Sequence, residues 1–477
     1  MNWLSEASEA RASGPGGGVV SSRGRSPRKG RPPQIRAGGA TVLLAITMLA
    51  GCHQPRAPFD DRLLIGEVMQ RSEFAANLRA LCLPGGRLTG KPNAEQATEY
   101  VAAKLRAYGL QNVHFEPFDM SCWTVRQTRV TLLDEPPCEI EGAIALARTQ
   151  PTPPGGVTAE LLDLGDGTDD DFATRGPELA GKFVLLSAGE ARGPRAKLAC
   201  EHGAAGVIFQ SRPERPPIIG NGHTTPRPEP VVVIPHDPNL PARLAAGEKL
   251  RLNIQLDAEN WDCRPRNVIG EIPGRGPLAH EVVLICAHLD SWHLAEGGMD
   301  NGSGSATILE TARALARLGW QPRRTVRFVW FMAEELGLEG SEAYVRRHAD
   351  ELENIVAVIN LDMPGAPRSL AYNGDAAVEP FLKQLVAGLA AYELSQEIGR
   401  WTGGNGSDYA PFVRHGVCAL TIGGELGPGV KHYHTAGDTY DTVDRRGTVQ
   451  SSAVLAVLVR RLADEPQRPT RHAAAAP

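Results

Sequence analysis

The chain has 477 residues, 42% of them apolar and 22% charged, which is ordinary globular usage and excludes a fibrous or wholly disordered protein. Aromatic residues make up 5%, too few for a surface that stacks single-stranded nucleic acid. The formal charge is −5, but residues 1–51 hold seven Lys/Arg against two acids; the remainder, with 43 basic and 53 acidic side chains, repels phosphate backbones, so no nucleic acid is expected as partner.

Residues 1–39 place Arg23, Arg25, Arg28, Lys29, Arg31 and Arg36 among Gly, Ser and Pro, and an apolar run of 11 residues, 40–50, follows. A basic region before so short a run reads as an export signal, because a spanning helix needs about 20 apolar residues. The run ends in Leu49-Ala50-Gly51-Cys52, which resembles the bacterial lipobox. Residues 1–51 are then a lipoprotein signal peptide and Cys52 the lipidated residue. That places the protein in the cell envelope, held by acyl chains on the periplasmic or extracellular face of a membrane. The remaining 425 or so residues allow two or three domains at roughly 150 residues each.

Seven cysteines remain after Cys52, an odd number, so at least one thiol stays free. Cys286 and Cys418 stand in apolar runs and read as buried small hydrophobes, while Cys122 and Cys138 are the pair expected to form a disulfide. The absence of CxxC argues against a cysteine zinc knuckle.

Lys91-Pro92-Asn93-Ala94-Glu95-Gln96 reads as a helix start with Asn93 as cap and Gln96 three residues on. Ala97, Val101, Leu105 and Tyr108 repeat at helical spacing, and Gly109 ends the helix. "NVHFEPFDM" follows as a strand, so residues 60–125 open an α/β domain. Residues 126–262 differ, with short strands between Pro/Gly turns such as "TPPGG" and "RPEPVVVIP". Within them "GKFVLLSAG", a helix over 195–202 and "GAAGVIF" form a βαβ unit. "RAKLACEHGAAGVIF" resembles a segment of the protease-associated domain, a β-rich module inserted into several peptidases.

From residue 263 to 465 strand, loop and helix alternate. "EVVLICA" (281–287), "TVRFVWFMA" (325–333), "IVAVIN" (355–360) and "VCALTI" (417–422) read as buried strands, with a helix over 303–318 stopped by Gly319. This alternation predicts a mostly parallel sheet covered by helices on both faces. Residues 466–477, rich in Pro, Arg and Ala, are expected to be disordered.

Polar clusters follow these strands: His288-Leu289-Asp290, Asp300-Asn301, Glu334-Glu335, Leu361-Asp362, and His434 with Asp438. All lie at or beyond carboxyl ends of strands, where open α/β sheets place their sites. Two imidazoles and several carboxylates converging there suit cations with mixed N/O ligation. Without cations such carboxylates would repel and raise one another's pKa; two divalent ions bridged by one carboxylate resolve that.

"AHLDSW", "GGMDNGSG", "FMAEELGLEGS", "NLDM" and "YHTAGDT", in that order, resemble the co-catalytic dizinc aminopeptidase family, and within it the plasma glutamate carboxypeptidase-like (carboxypeptidase Q-like) members. The resemblance implies two Zn2+ ions. His288 and Asp362 would hold one and Glu335 and His434 the other, with Asp300 bridging and Glu334 as general base. Asp290 would orient the His288 ring. The reaction implied is hydrolysis of a peptide or dipeptide near its free N-terminus.

Asn301 stands where many relatives have a second Asp. His432 competes with His434 as a ligand, His293 is a third nearby imidazole, and Asp408 in "GSD" would support the site. Two other readings stand beside this one: a glutaminyl cyclase-type enzyme with a single zinc, and a binding protein on the same scaffold.

Overall fold

The computed structural model describes residues 60–187, 189, 192–401 and 406–471. The expected export leader and Cys52, the expected lipid-anchor residue, lie outside the described residues. Among those described, no helix is long and apolar enough to cross a membrane.

Strand Val282–His288 buries all of its side chains. Val283 and Ile285 pack with Ile308, Leu309 and Leu455, whereas Leu284 and Cys286 pack with Phe331, Tyr344 and Phe412. Alternate residues thus enter two different cores, as a strand covered on both faces requires. One core is roofed by helices Gly304–Arg317 and Arg445–Asp464, the other by Glu339–Arg347 and Ala410–Arg414.

This strand lies inside an eight-stranded sheet in the order Gln111–Pro117, Arg266–Ile272, Thr325–Phe331, Val282–His288, Ile355–Asn360, Ala419–Glu425, Ala366–Asn373, Ile398–Arg400. The four central strands run parallel, and they are the four segments expected from their apolar runs. Antiparallel strands flank them on both sides. The α/β fold with a parallel centre and helices on both faces is therefore the one present.

Helix Pro92–Tyr108 ends on Gly109 in the left-handed conformation, at φ 86°, as expected. Its start differs: Pro92 occupies the first turn and Lys91 is the cap residue. Proline is pre-organised for that position, so the helix begins before Asn93. The Asn93 amide instead donates to the carbonyls of Pro84 and Gly86, at 3.0 and 2.9 Å.

A second eight-stranded sheet draws on residues 120–263, in the order Cys138–Glu139, Met120–Leu132, Arg251–Cys263, Val157–Asp163, Phe183–Ser187, Gly206–Gln210, Val231–Ile234, Ile144–Ala145. Phe183–Ser187 and Gly206–Gln210 are parallel and joined by helix Arg192–Glu201, the anticipated βαβ unit with a helix that begins three residues earlier. Met120–Leu132 and Arg251–Cys263 form a long antiparallel ribbon that leads out of the first sheet and back.

The disulfide is not the expected one. Cys122 bonds Cys263 across that ribbon, with Cα atoms 5.8 Å apart, and Cys138 is an exposed free thiol. The partners are 141 residues apart in sequence yet adjacent in the ladder, a pairing set by strand register. Cys82, Cys200, Cys286 and Cys418 are buried and free. The tail also departs from expectation up to Arg471: Arg468 donates to the Glu353 carbonyl, and Arg471 to the carbonyls of Leu352 and His415 at 2.8 and 2.9 Å. Arginine donors thus pin a segment whose composition alone suggested disorder.

Candidate metal centre

The turns that leave the central strands are sharp. Ala333, Met363 and His434 have φ of 65°, 50° and 56°, conformations that non-glycine residues rarely adopt and that here sit beside the carboxylates and imidazoles of interest. Asp300 lies in the turn Gly298–Ser303 before helix Gly304–Arg317.

Asp300 stands between the two imidazoles. Its Oδ1 is 3.1 Å from His288 Nε2, and its Oδ2 is 2.9 Å from His434 Nε2. Asp362 Oδ1 lies 3.4 Å from His288 Nε2, and Glu335 Oε2 3.2 Å from His434 Nε2. Two triads result, His288/Asp300/Asp362 and Asp300/Glu335/His434, which share one carboxylate.

Backbone carbonyls fix both rings. His288 Nδ1 faces the Asp290 carbonyl at 3.1 Å, and His434 Nδ1 faces the Ile219 carbonyl at 3.0 Å. A carbonyl only accepts, so each Nδ1 carries a proton and each Nε2 is left to address the carboxylate oxygens, as a donor while it is protonated and as a lone-pair ligand once a metal ion takes the proton's place. A neutral ring would set lone pair against lone pair at such distances, so either a proton on Nε2 or a metal cation has to sit between ring and carboxylate. Glu335 Oε1 and Asp362 Oδ1 are buried and accept no hydrogen bond among the described residues. This donor set fits divalent cations with mixed N/O ligation.

The electrostatics agree. Burial pushes the Glu335 carboxyl up to about 7 against the opposing charge of His434. Burial likewise raises Glu334 well above the carboxylate range, with Asp362 adding to the effect and His288 opposing it. Burial alone would depress His434, but Glu335 and the Asp300 hydrogen bond outweigh it and lift the imidazolium to about 10. So concentrated a set of carboxylates holds protons wherever it lacks another cation.

The Asp290 carboxylate touches the His288 ring only at 3.6 Å, longer than the contact from its own carbonyl. Its stronger contacts lie elsewhere. Oδ1 accepts from the Glu334 amide at 3.1 Å, and Oδ2 from the Glu335 amide at 3.3 Å and from Thr89 Oγ1 at 3.2 Å. Asp290 therefore fixes the turn that aims the two glutamates. Asn301 performs a similar task with an amide: Oδ1 accepts from the amides of Gly304 and Met363 at 2.9 and 3.1 Å, and Nδ2 donates to the Leu361 carbonyl at 2.9 Å.

His432 packs its ring against Gly437, whereas His434 is the imidazole facing Asp300 and Glu335. His293 lies beside Trp123 in neither triad, pushed down to about 4 by burial and by Lys91. Asp408 is fully buried, and burial pushes its carboxyl up to about 7 against the charge of His288.

Other supporting groups had no role assigned from the sequence, although Asp438 stood in one of its polar clusters. Asp438 accepts from the Met299 amide at 2.6 Å and the Asp300 amide at 3.0 Å, anchoring the shared carboxylate's backbone. Arg87 is fully buried and donates to the carbonyls of Leu289, Leu81, Glu296 and Gly297, so it holds the loop between His288 and Asp300. From the second sheet, Asn221 Nδ2 donates to the Glu335 carbonyl at 2.6 Å, and Arg148 reaches the Leu336 carbonyl and, at 3.1 Å, Glu339.

Residues 267–459 match the model of Peptidase family M28. The chain is 30% identical over 413 residues to the aminopeptidase of Pseudomonas aeruginosa, covering 78% of this chain and 73% of that one. It is 28% identical over 399 residues to carboxypeptidase Q of Bos taurus, covering 80% and 83%. The crystal structure of a peptidase M28 precursor from Shewanella amazonensis superposes with a TM-score of 0.77 at 24% identity, over 87% of this chain and 98% of that one.

Proposed function

The chain belongs to peptidase family M28, and from that premise we propose that it is a zinc-dependent exopeptidase, an aminopeptidase or dipeptidase, that cleaves peptide bonds near a free N-terminus. The observation that carries the reading is Asp300, whose two oxygens each address a different imidazole. In this reading His288 and Asp362 hold one zinc ion, Glu335 and His434 a second, and Asp300 bridges them. When bound, the ions supply Lewis acidity to the scissile carbonyl and to the attacking water.

The chain's own part begins with Glu334. It belongs to neither triad, and its backbone is fixed by Asp290, so its carboxylate is left to accept the proton of the attacking water and pass it to the leaving amine. Residues 126–262 act as an inserted protease-associated domain that forms one wall of the cleft and limits substrate length; the bonds from Ile219 and Asn221 support this. Cys52 anchors the exported enzyme to the membrane.

The test is metal analysis with a panel of free-amine, blocked-amine and dipeptide substrates. Two zinc ions at the Asp300 centre of each chain, activity lost on chelation, and rejection of blocked amines are expected. A stoichiometry fixed at one ion at that centre, with full activity, would favour the cyclase-type reading instead.

A further inference from the structure

A third cluster of ligand-type side chains lies away from Asp300. Helix Arg192–Glu201 carries Cys200, and the loop leading into strand Val231–Ile234 carries His223 and Glu229. One donor atom from each lies within 4.8 Å of the other two. Cys200 is 7% exposed and His223 2%.

The His223 ring is arranged as a ligand is. Its Nε2 lies 2.9 Å from the Glu229 carbonyl, which can only accept, so Nε2 carries the proton and Nδ1 keeps a free lone pair. That Nδ1 is buried and has no hydrogen-bond partner. The Glu229 carboxylate is held by Arg227 through two bonds of 3.0 Å, and each oxygen retains a second lone pair. The cluster therefore presents a thiol, a lone-pair nitrogen and a carboxylate within 4.8 Å of one another, and among the described residues no group donates to the nitrogen.

We propose that Cys200 Sγ, His223 Nδ1 and a Glu229 oxygen bind one zinc-class divalent cation, distinct from the Asp300 centre, with the fourth position left to water. A four-coordinate ion with bonds of about 2.0–2.3 Å would draw the three donors together. Sulfur and imidazole select such an ion over magnesium or calcium. Burial holds the Cys200 thiol protonated, up to about 12, so binding releases one proton as the metal–sulfur bond replaces the S–H bond, with no change of oxidation state.

The position gives the ion a task. His223 is two residues beyond Asn221 and four beyond Ile219, the loop residues bonded to Glu335 and His434. An ion there ties this loop to helix Arg192–Glu201 and so steadies the backbone that holds the peptidase ligands.

The test is to strip the full chain of metal and titrate it with Co2+, recording the absorption spectrum. Neither triad around Asp300 contains sulfur, so a thiolate-to-cobalt charge-transfer band reports a cysteine site outside that centre, and the variants assign it to Cys200 or to another thiol. Wild type is expected to show the band; Cys200→Ser and His223→Ala are expected to lose it together with one equivalent of bound metal, while the other equivalents remain. A saturated wild type without the band overturns the proposal even if neither variant folds, and so does a band that survives in both variants. Because the band is read without substrate, an inactive enzyme that shows it would count against the peptidase reading and not against this site.

Discussion

Ile219 and His434 exchange two hydrogen bonds: the Ile219 amide donates to the His434 carbonyl, and the His434 side chain donates through Nδ1 to the Ile219 carbonyl, both at 3.0 Å. They are 215 residues apart and belong to loops of different sheets. The second sheet thus sets the tautomer and direction of an imidazole whose Nε2 addresses the carboxylates of the first.

Glu334→Gln should lower kcat by ~10²–10⁴-fold with metal content nearly unchanged, because Gln keeps the size and removes the basic oxygen. Glu335→Gln should instead lose metal, since Glu335 Oε2 is the oxygen facing His434. Steady-state kinetics with elemental analysis of both proteins decides it; the reverse pattern would exchange their roles.

Asp438→Asn replaces one of two accepting oxygens with an amide NH2, itself a donor, that faces the Met299 or Asp300 N–H. A drop in metal affinity of about 10–100-fold is expected, read by chelator competition. Unchanged affinity would show that the backbone of Asp300 holds its place unaided.

Arg87→Met would remove the guanidinium that donates to four carbonyls, three of these bonds being buried. A loss of roughly 3 kcal/mol or more in urea unfolding is expected, with metal affinity falling in parallel. A loss under about 1 kcal/mol would show that water takes over these bonds.

Metal-stripped protein should lose stability as pH rises between about 4 and 8. Burial holds Glu335 and Asp408 at about 7, above their unfolded values, so the folded state binds more protons and their contribution disappears as they ionise. His434, lifted to about 10, acts in the same sense above about 6.5. Thermal melts across this range, with and without added zinc, check the sign; stability that rises with pH in the stripped protein would contradict it.

Cys52→Ser should abolish acyl labelling and release the protein from membranes in a high-salt wash. Wild type without acyl label would remove the anchor from the account.

The central sheet was legible because a strand buried on both faces must be apolar throughout, so Val282–His288 and its neighbours announce themselves without knowledge of their partners. The candidate ligands were legible for a related reason: each polar cluster follows such a run. What the sequence withheld depends on neighbours distant in the chain. Arg87 is one basic residue in a glycine-rich turn, and only the loop folded around it explains its burial. Cys263 pairs with Cys122 through ladder register, and Ile219 enters the site through a carbonyl, a group every residue possesses.

The amide of Asn301 spans two turns, accepting from Gly304 and Met363 and donating to Leu361, and the residues next to these contacts are Asp300 and Asp362. A planar group of fixed width thereby acts as a gauge block between two carboxylates. It can accept and donate at once, which a second aspartate could not do in its ionised form. The spacing of Asp300 and Asp362 is then a property of the polypeptide, and whatever enters between them must conform to it.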